Sequence, residues 1–121
     1  MKRVSPHVTI YKFPTTAISS IGNRITGLGL SGGFVGLGIG LLFGLSPENT
    51  YKNASPLTKH VINYSVLFPT TYHTFGGIRH ILWDKYPQLL TNNQVKKSSI
   101  ALIGISALST VIAEQLLIKD K

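Results

Sequence analysis

The sequence predicts an all-α integral membrane fold with three transmembrane helices. Three observations carry that prediction. Charged residues make up only 13% of the 121 residues, against about 25% in an average soluble domain. They are clustered, and the stretches between clusters are long enough and apolar enough to cross a bilayer. The basic residues flank those stretches, as in the loops of membrane proteins.

The chain reads as one membrane domain, 1–121, with an N-terminal arm over 1–16 and spans over about 17–45, 60–83 and 98–118. The arm is polar and extended, with Pro6 and Pro14, and Thr15 and Thr16 follow as helix-start signals. In the first span, residues 25–45 form 21 residues without a charge, enough to cross roughly 30 Å of hydrocarbon. Residues 46–59, with two prolines, read as a turn-rich loop, and the second span carries no Lys, Arg, Asp or Glu until Arg79. A second polar loop over 84–97 leads to the third span, whose only charge is Glu114. So near the end of its span, Glu114 reads as solvated at the interface.

The formal net charge is +8, from 12 Lys+Arg against 4 Asp+Glu. A basic chain can bind nucleic acid, but the three apolar spans exclude that class. With three spans, Lys2, Arg3, Lys12, Arg24, Arg79, Lys85, Lys96 and Lys97 share one side, and Lys52, Lys59, Lys119 and Lys121 the other. The basic excess assigns the N-terminus to the cytoplasm or the mitochondrial matrix. Cysteine is absent, which removes disulfides, iron–sulfur ligation and thiolate catalysis by this chain. The residues after Met1-Lys2-Arg3 lack the apolar core of a cleavable leader.

Four features of the spans bear on chemistry. Gly32, Gly36, Gly40 and Gly44 recur every four residues and predict a close-packing helix face. Ser20, Arg24, Gly27 and Ser31 share another face. A guanidinium there faces protein, water or an anion, or snorkels to the headgroups; with Ser20 it is placed to bind a carbonyl oxygen or a carboxylate. His73 and His80 lie seven residues apart on the second span, so they cannot ligate one metal from opposite sides. His73 is either hydrogen-bonded between helices or a ligand. In the second case its counterpart must come from another subunit, since His7 and His60 are poorly placed. Gly76 and Gly77 leave room beside it for a flat, bulky group, and Pro69 one turn earlier frees the Ser65 carbonyl. Arg79, His80, Trp83 and Asp84 crowd the end of the span. There Arg79 and His80 suit propionates, or else headgroups and Asp84.

Three segments resemble one known family. Ser5-Pro6-His7-Val8-Thr9-Ile10-Tyr11 is similar to the SPHxxIY signature of the succinate dehydrogenase cytochrome b subunit. Ser20-Ile21-Gly22-Asn23-Arg24-Ile25-Thr26-Gly27 resembles its S-I-x-H-R-x-T-G motif. His73-Thr74-Phe75-Gly76-Gly77-Ile78-Arg79-His80 with Trp83-Asp84 resembles its H-x-x-x-G-I-R-H-x-x-W-D motif. The resemblance covers about residues 4–118, with the motifs in the family's order.

The resemblance implies the larger membrane anchor of succinate:quinone oxidoreductase (complex II), part of a heteromeric helix bundle in the mitochondrial inner membrane or a bacterial inner membrane. Its implied partners are a small cytochrome b anchor, an iron–sulfur subunit and a flavoprotein subunit. Its implied ligands are ubiquinone as substrate and one haem b held between the two anchors, the partner anchor giving the second axial ligand. By motif position His73 matches the axial haem ligand, and Ser20 and Arg24 match the quinone-site serine and arginine. Asn23, Arg24, Arg79 and His80 are the implied haem-propionate or pocket contacts. The flavin chemistry belongs to another subunit, so no residue here is catalytic in that sense. One position departs from the family pattern: histidine commonly precedes the motif arginine, and here it is Asn23. An amide exchanges hydrogen bonds but carries no titrating proton. The competing expectations are a haem-free structural anchor and an assembly subunit without a redox site.

Overall fold

A computed structural model describes residue Ile10 and residues 12–119. Most of the SPHxxIY segment, His7 included, lies outside the described residues. The elements are α1 (Thr15–Leu42), α2 (Pro47–Asn53), α3 (Pro56–Lys85), a single 3-10 turn (Pro87–Leu89) and α4 (Asn92–Lys119). The regular elements among the described residues are all helical, as the apolar spans predict. Helices α1, α3 and α4 have 28, 30 and 28 residues, roughly 42–45 Å each at about 1.5 Å per residue.

The helix ends differ from the expected ones for local reasons. α1 stops at Leu42, short of residue 45, because Gly44 adopts φ +80°, a conformation open to a residue without Cβ. The Leu45 N–H then donates to the Gly40 carbonyl at 2.9 Å and the Gly44 N–H to the Leu41 carbonyl at 3.1 Å, the paired bonds of a Schellman terminus. The stretch 46–59 is not all loop. Pro47 opens α2, with Glu48 in its first turn and Lys52 in its last, paired at 2.6 Å. α3 begins before residue 60 because the Ser55 hydroxyl accepts from the Thr58 N–H at 3.2 Å and Pro56 stands at the first helical position. It continues through Pro69 to Lys85. α4 starts at Asn92, inside the expected second loop.

Contacts along the helices run in opposite order. Ser19, Asn23 and Gly27 of α1 meet Arg79, Gly76 and His73 of α3. Arg79, Thr71 and His60 of α3 meet Ser99, Thr110 and Glu114 of α4. α3 is therefore the antiparallel centre of the bundle, flanked by α1 and α4.

The interior is polar and the exterior apolar. The buried polar residues are Ser19, Asn63, Arg79, Ser99, Ser106, Thr110 and Glu114, whereas the buried hydrophobics are Tyr72 and Leu102. Leu28, Phe34, Leu42, Phe43, Leu57 and Ile81 are each more than two-thirds exposed. A water-soluble fold places these classes the other way round. In a bilayer the surroundings are as apolar as leucine, so small and hydrogen-bonding residues collect between helices. Two helices, α1 and α4, are long and apolar enough to cross a membrane. α3 is as long, but Asn63, Tyr64, Thr70, Thr71, His73, Arg79 and His80 lower its hydropathy. Those residues make it the polar centre of the bundle.

Among the described residues the glycine ladder packs against no other helix. Nothing lies within 4 Å of a Cβ built on Gly32 or Gly36, Gly40 meets Leu45, and Gly44 ends the helix. Gly22, Gly27 and Gly76 make the close contacts between α1 and α3 instead.

Candidate functional site

One end of the bundle gathers most of the residues singled out by motif. His73 reaches from α3 to α1, where its Nδ1 lies 3.0 Å from the Asn23 carbonyl oxygen. A carbonyl only accepts, so Nδ1 carries a proton, and in the neutral tautomer that does so the lone pair is on Nε2. The imidazole is exposed and lies against Gly27, where a Cβ would come within 2.7 Å of His73 Cε1. Gly76, one turn further along α3, faces the Asn23 side-chain amide so closely that a Cβ there would overlap Oδ1. Asn23 Oδ1 is buried without a hydrogen-bond partner among the described residues.

Ser20 and Arg24 sit on α1 beside this contact. Ser20 is half-buried and Arg24 exposed. Arg24 has no ion-pair partner among the described residues, so its charge is available at the surface. Ser20 is seven residues from Gly27 and shares its helix face. His80 is exposed and stands edge-on to Trp83, ring centroids 5.4 Å apart.

Arg79 lies elsewhere than its motif suggests. It is 8% exposed, and its Nη2 donates to Ser19 Oγ at 2.9 Å while Nη1 donates to Ser99 Oγ at 3.0 Å. Its guanidinium also lies 4.5 Å from the Trp83 ring centroid, a cation–π distance. It forms no ion pair with Asp84. Instead it joins all three long helices, because a planar fork with five donors can serve two hydroxyls on opposite neighbours. Tyr72 adds a fourth tie, its hydroxyl donating to the Ser19 carbonyl at 3.1 Å. Ser19, Tyr72 and Ser99 carry no sequence signal of this role, because their partners lie 20 to 60 positions away.

Toward mid-bundle, α1 and α3 diverge around an apolar cavity of about 370 Å³ lined by Gly29, Leu30, Gly33, Phe34, Leu37, Ser65, Val66 and Pro69. It begins one turn from His73, on the side of Pro69.

The opposite end holds a second polar cluster. Glu114 is 3% exposed, not solvated, and accepts from His60 Nδ1 at 2.6 Å. Nearby the Tyr51 hydroxyl donates to Asn63 Oδ1 at 3.0 Å and Lys59 Nζ to the Lys52 carbonyl at 3.0 Å. These bonds tie α2 and α4 to the start of α3. Among the described residues, no group of three or more metal-ligating side chains is present.

Over residues 1–113 the chain matches the succinate dehydrogenase/fumarate reductase transmembrane subunit family. It is 36% identical over 112 residues to the mitochondrial succinate dehydrogenase cytochrome b560 subunit of Dictyostelium discoideum. That alignment covers 89% of this chain and 58% of the relative, so the chain spans less than two-thirds of that protein's length. It is 36% identical over 119 residues to the succinate dehydrogenase cytochrome b560 subunit of Reclinomonas americana, covering 91% and 82% of the two chains. To the succinate dehydrogenase cytochrome b556 subunit of Paracoccus denitrificans it is 31% identical over 113 residues, covering 90% and 86%. Motifs, an inside-out helical architecture and these matches agree: the chain belongs to the succinate dehydrogenase/fumarate reductase transmembrane subunit family.

Proposed function

We propose that this chain is the larger membrane anchor of a succinate:quinone oxidoreductase, that His73 is one axial ligand of a haem b, and that Ser20 and Arg24 bind ubiquinone. The observation that carries the reading is His73 itself. Its Nδ1–H is committed to the Asn23 carbonyl at 3.0 Å, which leaves Nε2 as the ligating nitrogen, the arrangement in which a metal-bound histidine donates through its other ring N–H. The exposed ring and the neighbouring cavity of about 370 Å³ leave space for a flat group, so the residues present fit a haem. When bound, the haem supplies one-electron redox chemistry, its potential set by the ligands and the hydrogen bonds around them. With one ligand from this chain, the second comes from a partner anchor.

The quinone is a substrate held at the α1 face. The Ser20 hydroxyl donates to a quinone oxygen, and the unpaired Arg24 guanidinium stabilises negative charge that develops there as electrons arrive, a donor set in place before the charge forms. Asn23 carries no titrating proton, so the protons taken up by the quinone come from water or another subunit. Electrons come from the iron–sulfur partner, which receives them from a flavoprotein that oxidises succinate.

In this reading α3 is the third span, its polar residues satisfied inside the bundle and by the partner anchor. The N-terminus faces the mitochondrial matrix, or the cytoplasm in a bacterial setting, following the excess of basic residues on that side. Replacement of His73 by Leu tests the central assignment. The complex carrying His73→Leu should lose or strongly perturb its reduced-minus-oxidised b-type absorption. An unchanged spectrum would eliminate His73 as a ligand, and a wild-type complex without protohaem would leave a structural anchor.

A further inference from the structure

His73 is held by the backbone of a helix other than its own. Its Nδ1 lies 3.0 Å from the Asn23 carbonyl, and one turn along α1 its ring occupies the space a Cβ on Gly27 would take. That Cβ would stand 2.7 Å from Cε1, 3.1 Å from Nδ1 and 3.5 Å from Nε2. The first of these is closer than side-chain carbons approach one another, so any larger residue at 27 must displace the ring. Three turns on and on the same face of α1, a Cβ at Gly38 would meet nothing within 4 Å. The restriction is therefore local to the imidazole and is not a property of the whole helix face. The register of the contact is set by Gly76, which receives the Asn23 side chain.

The Asn23 carbonyl has a second suitor. The Thr26 hydroxyl donates to it at 3.0 Å and to the Gly22 carbonyl at 2.9 Å. Since a carbonyl oxygen has two lone pairs and already serves the intrahelical ladder, Thr26 and His73 compete for it.

We propose that Gly27, the Asn23 carbonyl and Thr26 form a positioning and tuning device for His73, in which the α1 backbone fixes the ring's tautomer and angle and so sets how strongly Nε2 donates to haem iron. The inference rests on the axial assignment above. A stronger Nδ1–H···O bond makes the imidazole more basic. A better donor favours the oxidised metal and lowers its midpoint potential, and weakening the bond raises it. Gly27 and Thr26 are positioning residues that act only through His73.

The test is a redox titration of the haem in the intact complex, with optical spectra, for Gly27→Ala, Thr26→Val, Gly38→Ala and His73→Leu. Gly27→Ala should retain haem with its midpoint shifted upward. Thr26→Val removes the competing donor without adding bulk and should shift it downward. Gly38→Ala should match wild type. A purely structural role would not move the potential in opposite directions. If Gly27→Ala prevents assembly, Thr26→Val alone decides. Wild-type potentials in Thr26→Val and in any assembled Gly27→Ala, beside loss of haem in His73→Leu, would overturn this device and leave the axial assignment intact. Retention of the spectrum in His73→Leu would remove both.

Discussion

At the scale of single residues, the two cations of the motif region have opposite environments. Arg24 is exposed on α1 without an ion-pair partner among the described residues, whereas Arg79 is buried between two serines. Only Arg24 has a charge free to meet an external ligand. In the complex, Arg24→Ala should lower quinone reduction about 10²-fold, the order expected for loss of one preorganised donor to a developing oxyanion. Succinate oxidation with an artificial acceptor should be largely unchanged, because that reaction bypasses the quinone. Parallel loss of both rates would indicate failed assembly and not a quinone contact. The role proposed for Arg24 rests on its motif and its position near the start of a span. Arg79 stands in an equally clear motif, but its true partners could not be read from it, because Ser19 and Ser99 become its neighbours only when α1 and α4 close on α3.

At the scale of elements, hydrogen bonds between helices take over the task that apolar burial performs in water. Arg79 ties α3 to α1 and α4 at one end, Thr71 meets the Thr110 hydroxyl at 2.9 Å midway, and His60 meets Glu114 at the other end. Removing one acceptor leaves a buried guanidinium N–H unsatisfied, a cost of about 1–3 kcal/mol. Ser19→Ala and Ser99→Ala should each lower the thermal stability of the solubilised complex by about that much. Arg79→Lys should be at least as damaging, since a point charge on a flexible stem cannot serve both hydroxyls as the fork does. Melting curves superimposable on wild type would show that the three-helix clasp contributes nothing. The existence and order of the three long helices followed from hydropathy and punctuation, but α2 and the element ends did not. Gly44 reads as the last rung of a packing ladder until its positive φ marks it as a terminator, and Ser55-Pro56 starts a helix where two prolines suggest loop. The rungs Gly32 and Gly36 have nothing within 4 Å of a built Cβ among the described residues.

At the scale of the whole molecule, the polar interior and apolar exterior make the bilayer the surrounding medium, and the proposed direction rests on the distribution of Lys and Arg. If α3 crosses the membrane, the segment before it and the segment after it lie on opposite sides. Single cysteines placed at Lys52 and at Lys96 in this cysteine-free chain should therefore react with a membrane-impermeant thiol reagent from opposite faces of sealed vesicles. The Lys96 position should share its side with the N-terminus. Labelling of both from the same side would show that α3 does not span.

By itself the sequence determined the all-helical class, the order of the long helices and the family, because hydropathy, charge clustering and motif spacing are local properties of the chain. Only the tertiary structure decided that the Asn23 backbone holds His73, that Gly27 and not the glycine ladder makes the close approach, that Arg79 is a clasp, and that Glu114 is buried against His60. Each of these is a contact between residues 20 to 60 positions apart. Such contacts arise from the antiparallel register of α1 and α4 on α3, and that register depends on where all three helices begin, end and fit together.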